Sequence, residues 1–359
     1  MRLLPCCLFT LSVSFAGLGQ AVAIAQSAPK PIPVKVVVVA MFEAGNDTGD
    51  RPGELQYWAE RDHLDTIYPL PSAYHDVRMN ADGELAIVTG QGTAHAASTI
   101  MALGLDPRFD LTHAYWLIAG IAGGNPQVIS LGSAVWANWI VDSDLGYEID
   151  AREIPSDWPT GVLPLRKNSP FEAPAEPLAG QVFQTNRTLM DWAFHLTQHV
   201  ELPDDDHLKE LRSHFDSPAA KQPPHVIEGD EVSGSRYWHG KLMNDWAQQW
   251  MTYFSNSQGH FATTAMEDTG TLLTLQNLAR SGKVDWNRIL VLRTVSNFDQ
   301  QPNGLDASSS LSHQRIGQYG AYLPSLEAAY RVGHAVVAEL MAHWPQYEKS
   351  VPAASSSIH

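Results

Sequence analysis

The apolar positions of this chain fall into short unbroken runs separated by stretches of helical period. "PIPVKVVVVA" (31–40) follows a Pro-rich lead-in and is continuous and β-branched, the pattern of a strand buried on both faces. "ELAIVT" (84–89) repeats that pattern and stops at "GQG". "TAHAASTIMALG" then predicts a helix ending at Gly104. "AYWLIAG" (114–120) predicts a third strand, broken by "IAGGNP". "SAVWANWIV" (133–141) alternates and predicts a fourth, and "WNRILVLRTVSN" (286–297) a fifth. Helices are predicted over 187–200, 241–254 and 324–344. Strands alternating with helices predict an α/β domain, its sheet mostly parallel and covered on both faces.

Residues 142–240 are less regular, with many prolines and the acidic run "ELPDDDH" (201–207), and read as an elaboration packed on the sheet's edge. The expectation is one domain over 30–348 and a flexible tail over 349–359. The first 25 residues carry one early cation, Arg2, an apolar stretch and small residues in "AVA" and "AIA", the pattern of a cleaved signal peptide. Secretion or a periplasmic location is therefore expected. Cys6 and Cys7, the chain's two cysteines, would leave with that peptide, which excludes a disulfide framework and a thiolate nucleophile. "VKVVVVAMF" has strand length, and no later run is long enough to span a bilayer, so stable membrane insertion is not expected.

A net charge of −16 argues against a nucleic-acid partner, since phosphates must be met by Lys and Arg. No metal is expected either. His195 and His199 stand one helical turn apart but have no evident third ligand, and the acidic run lacks calcium-loop spacing. "TGQGTAHAAST" has the outline of a dinucleotide fingerprint, but His95 occupies the third glycine position, so no nicotinamide cofactor is expected. Two readings stay open there: a plain strand-to-helix turn, or one presenting backbone N–H groups to a ligand. "GSRYWHGK" groups Tyr237, Trp238 and His239, as core aromatics or as a stacking face for a flat heterocycle. "RTVSNFD" ends a buried strand on Ser296, Asn297 and Asp299, at the sheet end where ligands sit. Asn297 either caps a turn or reads a base edge. "TTAMEDTGTLL" sets Glu267 and Asp268 at a helix start, where they favour the dipole or grip a diol.

Taken in order, "VTGQGTAHAAST", "IAGIAGGNP", "AMEDTGTLL" and "LRTVSN" resemble the nucleoside phosphorylase and nucleosidase fold. With "YEIDAREIP", "VFQTN", "YWHGK" and "TTAMEDT" added, nearly the whole chain after the leader is similar to the purine nucleoside permease family. The resemblance implies a three-layer α/β/α domain with a central mixed, mostly parallel sheet, and a purine nucleoside as the small-molecule partner, with no cofactor. Met266 and Glu267 match the Met-Glu step whose carboxylate binds the ribose 2′- and 3′-hydroxyls. Asp268 is a second ribose candidate. Asn297, with Asp299, falls where that fold meets purine N7, and Tyr237 and Trp238 fall near its base-stacking segment. "AMFEAG" is similar to the nucleosidase pattern after the first strand, making Glu43 the candidate water-activating base. Gly92, Gly123, Asn186 and His239 are further candidates within the matching motifs. The Gly-Asp-Pro and arginine pattern that holds phosphate in phosphorylases is missing, and Arg51 is the nearby cation. Hydrolysis of the N-glycosidic bond is thus the first expectation, binding for uptake the second and phosphorolysis the third. The fold's frequent oligomers leave a homo-oligomer open.

Overall fold

A computed structural model describes residues 29–313 and 320–354. The predicted signal peptide and the end of the tail, 355–359, lie outside the described residues. The chain divides into Met1–Lys30 and Pro31–His359, and the elements below all belong to the second unit.

Ten strands form one mixed sheet: β1 (Val36–Ala40), β2 (Thr66–Tyr68), β3 (Val77–Met79), β4 (Glu84–Val88), β5 (Tyr115–Gly124), β6 (Ala134–Asp142), β7 (Val182–Gln184), β8 (Val226–Ser233), β9 (Phe261–Ala265) and β10 (Ile289–Phe298). They lie in the order β7-β6-β8-β9-β5-β1-β4-β3-β2, and β10 pairs with both β5 and β6. The five strands β6, β8, β9, β5 and β10 therefore close on themselves, while β1 to β4 stay an open sheet. Pairing is parallel at the centre (β4, β1, β5, β10) and antiparallel through β2 to β4.

Both faces of the sheet are covered, which is why β1 is apolar at every position. Val36 and Val38 join a core with Trp58 of α1 (Gln56–Arg61), Leu189 of α3 (Arg187–Thr197) and Val336 of α6 (Tyr322–Ala342). Val37 and Val39 face Leu103 of α2 (Thr93–Gly104) and Leu275 of α5 (Asp268–Arg280) on the other side. Each such fully buried side chain contributes about 1.5–3 kcal/mol. The remaining major helix, α4 (Lys241–Phe254), follows β8. No described helix is long and apolar enough to cross a membrane.

Four details differ from the expectations. The third predicted strand does not break at Gly120; β5 continues through "IAGG" to Gly124. Its glycines answer to crowding: a Cβ at Gly120 would meet Glu54 and Arg293, and one at Gly123 would overlap Asp299. The segment 142–240 is not wholly peripheral, because β8 lies between β6 and β9. Its charges are accommodated there: Asp230 accepts from the N–H groups of Trp139 (2.7 Å) and His260 (2.6 Å). His95 is exposed on α2, and the close helix contact is made by Gly270 against Thr93. The described start of the tail is anchored, with Val351 packed on the main core and Pro352 buried.

Candidate active site

A cavity of about 300 Å³ opens where the C-terminal ends of β1, β4, β5, β9 and β10 meet. That is the sheet end where open α/β folds place their ligands, and the volume suits one small molecule. Met41 and Phe42 line it from just beyond β1, Gln91 from the turn after β4, and Ile121 to Gly123 from the end of β5.

Glu267 lines the cavity and is 5% exposed. It precedes α5 without capping that helix with its side chain. The carboxylate turns back instead, accepting from the N–H of Gly92 (3.1 Å) and of Met266 (3.2 Å). Gly92 opens α2 at φ +87°, a left-handed conformation that favours glycine, so the "GQG" turn aims its N–H at Glu267. Burial raises the Glu267 pKa, opposed by Arg293.

Asp268 does not reach the cavity. It is fully buried and grips Arg293 of β10 with both oxygens: Nε donates at 3.0 Å and Nη2 makes the second bond. Successive residues at a helix start point roughly 100° apart, so one acid of the pair faces the cavity and the other the interior. Arg293, 1% exposed, also donates through Nη1 to the carbonyl of Ile121 at 3.2 Å. Glu231 Oε2 stands 3.5 Å and Glu267 Oε2 3.7 Å from the same guanidinium. Burial works against the arginine's charge, but Asp268, Glu231 and Glu267 outweigh it and hold it protonated. Burial and neighbouring Asp268 push the Glu231 carboxyl far up.

Glu54 is the acid that lines the cavity near β1. Its Oε2 accepts from the N–H of Met41 and its Oε1 from that of Ile121, both at 2.7 Å. Burial raises its pKa to about 8, against the lowering pull of Arg293. Glu43, the sequence candidate, does not line the cavity. Its carboxylate accepts from Gly53 and from the N–H groups of Leu55 (3.0 Å) and Gln56 (2.9 Å), so it organises the entry to α1.

Tyr237, Trp238, Ser296 and Asn297 also line the cavity. Ser296 donates to Asn297 Oδ1 at 2.9 Å, and Asn297 Nδ2 donates to the Tyr237 hydroxyl at 3.1 Å, which fixes the amide plane. Trp238 is wedged edge-on against Trp246. Asp299 lies behind this wall, outside the cavity: Oδ1 accepts from Thr264 at 2.8 Å, and burial raises its pKa to about 7. His239 also stands outside the lining, bonded to Ser310 at 2.9 Å, and burial lowers its pKa to about 4. Asn186 is remote in role: it caps α3 by accepting from Thr188 N–H at 3.1 Å.

The structure thus brings Glu267, Met266, Gly123, Tyr237, Trp238 and Asn297 together and adds Glu54, underlain by Arg293 and Glu231. Arg293 had a signal, a lone cation within the apolar run "ILVLRTV", since a buried charge must be paired. Glu54 had less: it is an acid at a helix start, but a loop separates it from β1. Among the described residues no group of three or more His, Cys, Asp or Glu could hold a metal ion.

The family model described as purine nucleoside permease (NUP) matches residues 33–352. A probable purine nucleoside permease of Schizosaccharomyces pombe is 32% identical over 290 residues, covering 78% of this chain and 82% of the relative. A purine nucleoside permease of Candida albicans is 30% identical over 321 residues, covering 88% and 77%. Among solved structures, a 5′-methylthioadenosine/S-adenosylhomocysteine nucleosidase of Neisseria meningitidis superposes with a TM-score of 0.51 at 15% identity, over 85% of this chain and 99% of that one. The futalosine hydrolase of Helicobacter pylori gives 0.50 at 15%, over 86% and 98%. At that identity the structures establish the fold. The chain belongs to the purine nucleoside permease family, built on the fold of nucleoside phosphorylases and nucleosidases.

Proposed function

We propose that this protein, exported by the leader read in its sequence, cleaves the N-glycosidic bond of purine nucleosides with water. One observation carries the reading: the same cavity holds two buried acids, Glu267 and Glu54, and an oriented amide, Asn297. Glu267 accepts hydrogen bonds from the sugar's vicinal hydroxyls. Asn297 meets the N7 edge of the base while Tyr237 and Trp238 flank it. The C1′–N9 bond breaks with its electron pair passing to the purine, which takes up a proton from solvent at N7 while the Asn297 amide orients that edge. Water adds to C1′ and gives a proton to Glu54 in its ionised form, which prevails above its pKa of about 8, so base release should rise with pH through that value. The cationic sugar between these events is stabilised by the surrounding carboxylates.

Two observations favour a second reading, binding of intact nucleoside for uptake. Both Glu54 oxygens already accept a backbone N–H, and the relatives carry the name permease. Phosphorolysis is disfavoured because Arg236, the cation among the described lining residues, is paired with Glu148. Chromatography of inosine incubated with the protein, with and without phosphate, separates the three. Hypoxanthine plus ribose supports hydrolysis, ribose 1-phosphate supports phosphorolysis, and saturable binding without base release leaves the uptake reading.

A further inference from the structure

Asp268 is fully buried, lies outside the cavity lining and takes no part in the chemistry proposed above. Its hold on Arg293 gives it a task. One guanidinium nitrogen, Nη2, is contested: Asp268 Oδ1 bonds it directly, while Glu267 Oε2 stands off at 3.7 Å, beyond hydrogen-bond length. Asp268 Oδ2 takes Nε at 3.0 Å, with Glu231 Oε2 3.5 Å from the same atom. The third nitrogen, Nη1, lies beside Glu54. A Cβ added at Gly120 would meet Nη1 at 2.6 Å and Glu54 Oε1 at 2.5 Å, so cation and acid stand together over that glycine. One peptide also joins them: Ile121 donates its N–H to Glu54 Oε1 at 2.7 Å and accepts from Nη1 at its carbonyl, 3.2 Å away.

A guanidinium without Asp268 in that place would draw both cavity acids to itself. Closing the gap to Glu267, it would occupy an oxygen that the sugar hydroxyls need. Beside Glu54 it would weaken the base, because an opposite charge within about 4–6 Å favours the ionised carboxylate. We propose that Asp268 is a positioning residue for this site: by gripping Arg293 with both oxygens it shields Glu267 and Glu54 from the guanidinium and leaves those acids to the sugar and the attacking water. The proposal rests on the roles given above to the two acids. The other groups around Glu54 are consistent with it. Burial raises the Glu54 carboxyl, Arg293 lowers it and Glu267 raises it again. Glu231 on β8 is pushed far up by burial and by Asp268. Tyr322 of α6, its hydroxyl raised by burial and by Glu54, stays neutral.

The test reads the pH dependence of kcat/KM for base release from inosine by the full-length protein. In wild type the rise with pH should have its midpoint at about 8, where Glu54 ionises. Asp268→Asn should move that midpoint down by about one unit. Asp268→Ser should do the same, and its hydroxyl still accepts from Nε, which keeps the test decisive if the amide variant does not fold. Asp268→Asn/Arg293→Met removes both partners together and should return the midpoint to the wild-type value or above, because the lowering pull of Arg293 is gone. A midpoint does not depend on the fraction folded or on the height of the plateau, so a merely structural Asp268 would leave it unmoved. An unchanged or raised midpoint in the single variants overturns the proposal, as does a double variant that falls below wild type. If wild type releases no base, the hydrolase reading fails, and the midpoint is taken instead from the carboxyl NMR resonance that Glu54→Gln removes. A lower value in Asp268→Asn then supports the shield, and an equal or higher one overturns it.

Discussion

Asp268→Asn separates two roles that neighbouring acids in a sequence cannot be assigned by inspection. Asp268 is fully buried and meets Arg293, itself 1% exposed, with both oxygens. Removing one partner of such a pair leaves an uncompensated charge and costs about 3–5 kcal/mol. Glu231 and Glu267 remain 3.5 and 3.7 Å from the guanidinium and soften the loss, so the lower figure applies. Unfolding entropy of about 2.1 cal/mol/K per residue, taken over the Pro31–His359 unit, comes to about 0.7 kcal/mol/K. The expected drop in Tm is then about 4 °C, measured by calorimetry at pH 7. Glu267→Gln should behave oppositely. It keeps one acceptor for Gly92 or Met266 and removes a carboxyl from a crowded anionic cluster, so Tm should move by under about 2 °C. Nucleoside affinity should fall by two orders of magnitude, because two hydrogen bonds to a charged acceptor are worth about 1.5–3 kcal/mol each. If Asp268→Asn is as stable as wild type yet loses affinity like Glu267→Gln, Asp268 is a sugar ligand and the assignment of the two acids is wrong.

Three further outcomes follow from the same geometry. The Glu54 carboxyl rises from an ordinary 4.5 to about 8 on folding, so the folded state holds the extra proton between those values. That contribution to stability is largest at low pH and is lost as pH rises through the window; Glu54→Gln should flatten this part of a Tm-against-pH curve and abolish base release, and an unchanged slope would contradict the burial argument. Glu43→Ala should cost stability by about 1–3 kcal/mol through the orphaned amides at the start of α1, seen in urea titration, while kcat/KM per folded molecule stays near wild type. Asn186→Ala should cost about 1 kcal/mol as a lost helix cap and leave nucleoside affinity, measured by titration calorimetry, where it was.

Much of the scaffold was legible because burial on both faces writes itself as continuous apolar runs. β1, β4 and β10 are of this kind, and all of their side chains are buried. β8 and β9 were not legible. "VIEGDEVS" holds three acids and "FATTA" is short and half polar, and both become interior strands only because partners distant in sequence receive them. Asp230 binds amides of β6 and of the residue before β9, and Glu231 leans on Arg293 of β10. At the site, Glu267 and Asn297 could be found because a turn and a strand end fix them locally. Glu54 could not, because residues 44–53 interpose a loop whose tertiary course returns the acid, rather than its neighbour Glu43, to the cavity.

The arrangement around Arg293 bears on which nucleophile the cavity tolerates. Four carboxyl groups, Glu54, Glu231, Glu267 and Asp268, surround one buried guanidinium. Burial raises the carboxyls crowded here: the raised Glu231 carboxyl is where a proton is held, and Glu54 gives up its own above a pH of about 8. Arg293 is committed to Asp268 and stands 3.7 Å from Glu267 Oε2, so the Glu267 carboxyl is left facing the cavity. A phosphate dianion entering there would be opposed by these acids, with Arg236, already paired with Glu148, as the cation among the described lining residues. A neutral nucleoside would not, and as its sugar acquires positive charge the interaction becomes attractive, by about 4 kcal/mol for unit charges 4 Å apart at an effective dielectric of 20. Water, which brings no charge and leaves a proton for Glu54, is the nucleophile such a field favours. On the proposed hydrolase reading, the anionic surround that is costly to bury is therefore what would favour water over phosphate.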